Sequence, residues 1–466
     1  MERSPDEQSD FSLSRFETML KTNDVYFFDA EQFEDIIHHY LDNGKIALAK
    51  KATALGLEQH PTATSLKMFQ VEMLIFEDRL DDADKLLDKL HLIEQSNEEV
   101  YIQKANVFSR RDNHKNAIKL LQKALAITHD KADVLSLLGM EHMFLEDYEN
   151  AKHCFIQCLE RDSSDYSALY NTIYCFEHMG QGEAAIEFLN VFLNNNPYCE
   201  VGWHQLGQQY YGLKQYKKAL AAFDFAIISD DRFIGAYLEK GKVLEKLKQF
   251  PKAIEAYTLT LSLDDPTSFA LLRMGKCYEK LGNQDLALHY FNKCVEEDGL
   301  LDKGWIAITD FYFRKKDYKK ALYYIDKAIQ IDTENVLYWK RFAKINLHLQ
   351  NLEEAEHGYR KVLELGDHGL DIWLKRADLL LTLGEPKATL NNLQQAAACH
   401  PENAELAYRM AGTYFKLGEN TKGEFHLTNA LRLEPEFILV LQELFPKVYA
   451  KKFVQQIIEQ HKKPLH

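Results

Sequence analysis

The chain has 466 residues, 46 % of them hydrophobic and 12 % aromatic, which is apolar material enough for large cores and excludes a chain disordered throughout. Its 56 Lys and Arg face 71 Asp and Glu, a formal charge of -15 that excludes general attraction to nucleic acid or anionic membranes and confines any cationic function to local patches. Only 10 Pro and 21 Gly occur, so the composition leans strongly helical.

The N-terminal stretch MERSPDEQSD is acidic and has no apolar core of the secretory type. Residues 1–10 are expected to be disordered. Phe11, Leu13, Phe16 and Leu20 then suggest a short amphipathic segment, so that residues 1–29 form a tail and an N-terminal cap.

From residue 30 the chain repeats. Trp203, Trp305, Trp339 and Trp373 are spaced by multiples of 34. Placing each Trp at position 4 of a 34-residue frame gives units starting at residues 30, 64, 98, 132, 166, 200, 234, 268, 302, 336, 370 and 404, without insertion or deletion to residue 437. Position 20 is Ala in ten of these twelve units, Ala49 to Ala355, with Thr389 and Gly423 completing the column. Position 8 is often small (Ala105, Gly139, Gly207, Gly241, Gly275, Ala343, Ala377, Ala411). Position 11 is commonly aromatic, and position 32 is Pro61, Pro197, Pro401 or Pro435 in four units.

Apolar residues at positions 4, 7, 8 and 11 share one helical face, and those at 20, 24, 27 and 28 share another, which predicts two amphipathic helices per unit. Turn residues near position 15, such as Gly44, Gly180 and Gly282, separate them. Small residues at 8 and 20 permit close helix approach. One such pair cannot bury both faces alone, so neighbours must stack.

The segment WHQLGQQYYGLKQYKKALAAFDFAI, Trp203 to Ile227, resembles the tetratricopeptide repeat family at Trp203, Leu206, Gly207, Tyr210, Ala219, Phe223 and Ala226. The resemblance extends over about seven-eighths of the chain. It implies an all-α fold, a right-handed α-α superhelical solenoid whose first helices line a concave groove that commonly receives a peptide or partner helix.

In the family, positions 2, 5, 6, 9, 12 and 13 face that groove, and here they form two zones. The earlier units place Met68, Phe69, Ile75, Phe76, Met140, Met143, Phe144, Tyr170 and Tyr174 there, an apolar zone suited to a greasy peptide face, to packing between helices or to an oligomer contact. The later units place Lys242, Arg273, Lys276, Lys340, Arg341 and Lys344 there, a basic zone suited to acidic side chains or a C-terminal carboxylate. Lys246, Lys280 and Arg314 at position 13 weigh less, because a cation there is ordinary in the family whatever it binds. The Lys and Asn arrangement of the family's chaperone-tail binders is missing: Asn106 is the lone Asn at position 9, with Ile102 at position 5.

Chemistry at single residues is sparse. No zinc-protease, phosphate-loop or nucleophile-elbow motif occurs, and Gly180 with Gly182 fits a turn. His153, Cys154 and Cys158 have metal-like spacing, but Cys158 falls where the frame asks for a small apolar residue, so a packing thiol is expected there. His38 and His39, four residues after Glu34 and Asp35, read as a solvated helix face. No cofactor and no metal are expected. Seven cysteines without a C-x-x-C pair suit a reducing cytoplasm.

The chain closes with residues 438–466. Ile438 to Phe445 is an apolar run stopped by Pro446, and a second helix is expected to place Tyr449, Phe453 and Ile457 on one face as a C-terminal cap. The functional expectation is a non-enzymatic, cytoplasmic scaffold for a protein or peptide, an acidic one where the basic zone receives it. Nucleic-acid binding and membrane insertion are not expected. The alternative is self-association into a homo-oligomer, with the groove filled by another copy or by the chain's own tail. An enzyme built on the scaffold would need converging carboxylates or His in a cleft, which the sequence does not show.

Overall fold

The computed structural model describes residues 5–22, 26–94, 96–263 and 267–462, and all regular structure among them is helical. Helix follows helix at a fixed pitch. First helices of successive hairpins open at Ala30, Thr64, Glu98, Ala132, Tyr166, Glu200, Ile234, Ser268, Asp302, Val336, Leu370 and Ala404, 34 residues apart. Apart from the helix that opens at Ile234, each packs on the helix that follows it and on the helix before it, and the fold is an α-α solenoid. The chain divides into two compact units, Met1–Ala236 and Tyr237–His466.

The turn inside each hairpin has one backbone solution. Position 15 adopts positive φ throughout, from 55° at Asp112 to 83° at Gly418. The next residue's N–H then returns to the carbonyl of position 11, as in Lys45 to Tyr40 at 2.8 Å and Gln181 to Phe176 at 2.9 Å. That bond satisfies a carbonyl the helix end leaves orphaned. Glycine adopts this conformation freely; Asp78, Glu146, Lys214 and Lys248 adopt it at a steric cost that the repeated packing overrides.

Helix approach is set by pairs of positions 8 and 24. A Cβ on Gly139, Gly207, Gly241 or Gly275 would lie 2.3–2.6 Å from a ring atom of Phe155, Phe223, Tyr257 or Phe291 respectively. Where position 8 is Ala105, Ala377 or Ala411, position 24 is Leu121, Leu393 or Leu427. Where it is Ile37, position 24 is Thr53. In these hairpins a smaller residue at one position answers a larger one at the other, as dense packing demands, whereas Val71 with Leu87 and Ile173 with Leu189 are bulkier pairs.

In the N-terminal unit the helix Pro5–Thr22 buries Phe16 and Met19 against Phe28, Phe33 and Tyr40. The expected disorder of residues 1–10 falls partly outside the described residues, at 1–4. The helix itself already starts at Pro5, a residue suited to the first helical position. Phe11, expected on the buried face, is exposed, and Ser12 takes a buried place instead.

In the C-terminal unit the closing segment is three short helices, Ile438–Leu444, Pro446–Tyr449 and Lys452–Lys462. Phe445 lies on Gly412, where a Cβ would meet its ring at 2.3 Å. The expected single face of Tyr449, Phe453 and Ile457 does not form. The chain breaks at Ala450 and Lys451, so Tyr449 belongs to the preceding turn, and Val454, Ile457 and Ile458 are the buried residues of the last helix.

Candidate partner-binding surfaces

First-helix cations of the C-terminal unit are largely paired within the fold. Arg273 donates from Nε and Nη2 to the two carboxylate oxygens of Glu245, each at 2.8 Å. The Tyr257 hydroxyl donates to the same carboxylate at 2.7 Å, and burial together with that carboxylate raises the Tyr257 pKa. Arg341 donates to Asp310 at 3.0 and 3.3 Å, and Arg409 to Asp378 at 2.9 and 3.0 Å. Lys340 pairs with Asp367 at 2.6 Å and Lys242 with Glu239 at 2.6 Å. Arg314, at position 13, pairs with Glu279. Lys242, Arg273, Lys340 and Arg341, four of the six cations of the zone, are thus engaged with carboxylates. Reading position columns of cations alone misses them, although Asp310 to Arg341 and Asp378 to Arg409 share a separation of 31 residues.

Two lysines are different. Lys276 is half-buried, forms no ion pair among the described residues, and has its pKa lowered by burial and by Arg273. Lys344 also has no carboxylate partner among them, and its ammonium lies 4.9 Å from the ring centre of Phe313. Lys344, Arg341, Asp310, Phe313, Thr309 and Ile345 line a cavity of about 280 Å³. A second cavity of about 610 Å³ runs along Lys340, Lys344, Lys375, Tyr359 and Ile372, so Lys344 lines both. This surface can hold an apolar group on its floor and a carboxylate at its edge.

The apolar zone of the N-terminal unit divides by burial. Met68 and Phe69 are each only 7 % exposed and are core residues rather than groove surface. Phe69 packs edge-on against His38 with centroids 4.9 Å apart, and Met68 lies with Ile75 and Leu87. Met143 is half-buried. Met140, Phe144, Tyr170 and Tyr174 are exposed, and Phe76 with them.

His153, Cys154 and Cys158 do not converge. His153 contacts Gln157 at 2.7 Å, while Cys158 is buried and donates to the Ala132 carbonyl at 3.5 Å. Burial pushes the thiols of Cys154 and Cys158 up to about 11, far from a thiolate ligand. Among the described residues no group of three or more His, Cys, Asp or Glu is placed to hold a metal ion, and no helix is long and apolar enough to cross a membrane.

Comparison with known proteins gives consistent matches. Tetratricopeptide repeat models match residues 204–267 and 269–298, and a coatomer epsilon subunit model matches residues 44–199. Anaphase-promoting complex subunit 3 of Schizosaccharomyces pombe is 29 % identical over 140 residues, 30 % of this chain and 21 % of that protein. The match thus spans about a fifth of that relative's length. The chain is similar to a crystal structure of the APC/C hetero-tetramer Cut9-Hcn1 at 14 % identity, with 87 % of this chain and 93 % of that one covered and a TM-score of 0.37. It is also similar to YrrB, described as a TPR protein with an unusual peptide-binding site, at 17 % identity, covering 39 % and 94 %, with a TM-score of 0.32.

Proposed function

The chain is a tetratricopeptide-repeat protein, and from that premise we propose that it is a non-enzymatic scaffold that captures an acidic, partly apolar segment of a partner protein on the first helices of its C-terminal unit. The observation that carries this reading is Lys344. Among the described residues it is a cation without a carboxylate partner, it lies over Phe313, and it lines two cavities that also hold the apolar side chains of Phe313, Ile345, Leu347 and Ile372. A ligand carboxylate would approach Lys344 directly, while Arg341, already engaged with Asp310, positions that wall. Lys340 and Lys375, each tied to an Asp, supply weaker attraction around the edge. We place this activity in a reducing compartment such as the cytoplasm. Buried thiols with raised pKa values and no disulfide among the described residues agree with that placement.

Self-filling by the chain's own tail has less support, because the apolar side of Lys452–Lys462 is used in the cluster of Phe415, Leu427 and Leu431, which contains neither Phe313 nor Ile372. The test is anisotropy of a labelled Leu and Glu model helix added to the full chain and to Lys344→Glu. Charge reversal should weaken capture about tenfold, the size of one desolvated charge contact. Equal affinity for both proteins would remove Lys344 from the site and sink the reading.

A further inference from the structure

Two first helices of the N-terminal unit carry exposed apolar stripes. On Ala132–Phe144, residues Asp133, Leu137, Met140 and Phe144 follow the spacing of one helical face. On Tyr166–His178, residues Tyr170, Tyr174 and Glu177 do the same. The five apolar members are 39–59 % exposed, a concentration on consecutive hairpins that single surface hydrophobics do not produce. The rings are steadied from beside: Phe144 stacks on His114 at 4.8 Å, and Tyr174 contacts Tyr148 and His178.

Carboxylates mark the ends of these stripes. Asp133 is exposed and forms no ion pair among the described residues. Glu177 accepts from Nε2 of the buried Gln209 at 2.7 Å, which orients it without neutralising it. Neither stripe contains Lys or Arg. Residues 1–236 hold 23 Lys and Arg against 39 Asp and Glu, a balance of -16.

We propose that this face docks an amphipathic segment of a partner protein whose apolar side is flanked by Lys or Arg. Leu137, Met140 and Phe144 receive the apolar side chains, Met adapting to their shape. The faces of Tyr170 and Tyr174 accept a cation, and Asp133 and Glu177 draw basic residues to the two ends. An acidic segment would meet the unit's own negative field with no cation on either stripe to receive it. The protein's C-terminal segment, though it carries Lys447, Lys451 and Lys452, buries its apolar residues in its own unit. The inference rests on the reading that first-helix faces of this chain receive partner segments, and assigns this one the opposite charge preference.

The test uses the full chain and two labelled model helices of about 18 residues, or five turns, one of Leu and Lys and one of Leu and Glu, at physiological salt. The Lys344→Glu variant, in which the surface around Lys344 is disabled, should bind the Leu and Lys helix more than about tenfold more tightly than it binds the Leu and Glu helix. Asp133→Lys with Glu177→Lys should lower the affinity for the Leu and Lys helix by about tenfold, and Tyr170→Ser with Tyr174→Ser should lower it as well. Glu160→Lys with Glu183→Lys, an equal change of net charge on second helices, should leave it unaltered. Equal loss in that control, or no loss in the stripe variants, overturns the proposal. If only the Leu and Glu helix binds, this inference falls while the C-terminal reading stands; if neither binds, both fall. Sedimentation showing a dimer that the stripe variants dissociate would identify the occupant as a second copy and equally overturn it.

Discussion

At the scale of single residues, burial decides which polar groups are settled and which are left wanting. Trp203, Trp305 and Trp339 donate their indole N–H to the carbonyls of Pro197, Gly299 and Thr333 at 2.8–2.9 Å, one bond from position 4 back to position 32 of the preceding hairpin. Trp373 finds no such partner, because the second helix before it ends at Glu364 and Gly366 turns the chain with φ 91°. Glu72 is left wanting in another way. It is half-buried without an ion pair among the described residues, and burial together with Glu99 raises its pKa, His38 compensating only in part. A raised carboxyl pKa means that the folded chain holds the proton more tightly than the unfolded one, so this group's effect on stability worsens as pH rises above the ordinary carboxylate range. Glu72→Gln should therefore unfold at higher denaturant than the parent at pH 7, by about 0.5–1.5 kcal/mol, with the gap closing towards pH 4. Urea titrations at both pH values check this, and a gap that widens on acidification would show that Glu72 is stabilised rather than strained.

At the scale of the helix hairpin, positions 8 and 24 meet, and a glycine at the first makes room for a ring at the second in four hairpins. Gly207 faces Phe223 so closely that a methyl group would sit 2.5 Å from the ring. Gly207→Ala gains about 1 kcal/mol of helix propensity, but overpacking of about 1–3 kcal/mol opposes it in a stacked solenoid that cannot open one interface alone. A net loss of stability is expected, and Phe223→Leu in the same chain should restore most of it, since Ala and Leu already pair at Ala377 with Leu393 and Ala411 with Leu427. A double-mutant cycle by thermal unfolding checks the coupling; additive losses would deny that the two positions share one volume. Much of this scale was legible in the sequence. The 34-residue spacing, the Ala column at position 20 and the turn at position 15 follow from backbone geometry that every hairpin repeats. Other features were not. Each column considered alone shows neither the ring that answers a glycine nor the carboxylate that answers an arginine, because both lie on a different helix. Hence Arg273 and Arg341 looked free in sequence and are paired in the fold, while Met68 and Phe69 looked like groove residues and are core.

At the scale of the whole molecule, stability is assembled from local clusters rather than one centre. The cluster around Phe16, Phe33 and Tyr40 reaches no further than Met73, and that around Phe415 and Phe445 has its buried members within residues 404–458 with Leu381 packed against them. Nearest-neighbour stacking of this kind makes the end of an array depend on its last element, which must cover one apolar face and present another side to water. Here that element buries Leu441, Phe445, Val448, Val454, Ile457 and Ile458, six apolar side chains at a gross value of about 1.5–3 kcal/mol each before the entropy of ordering the segment is subtracted. Ending the chain at Phe437 should therefore lower the stability of the C-terminal unit by several kcal/mol while leaving the N-terminal unit near its original value. The tryptophans make this measurable, since Trp305, Trp339 and Trp373 lie in the C-terminal unit and Trp203 alone in the other. Fluorescence, dominated by the three, should shift to lower temperature on truncation, while far-ultraviolet dichroism, which reports helices of both units, should split into two steps. A single transition that both probes follow to the same lower midpoint would instead mean that cooperativity spans the two units, and that their clusters, local in contact, are not local in free energy.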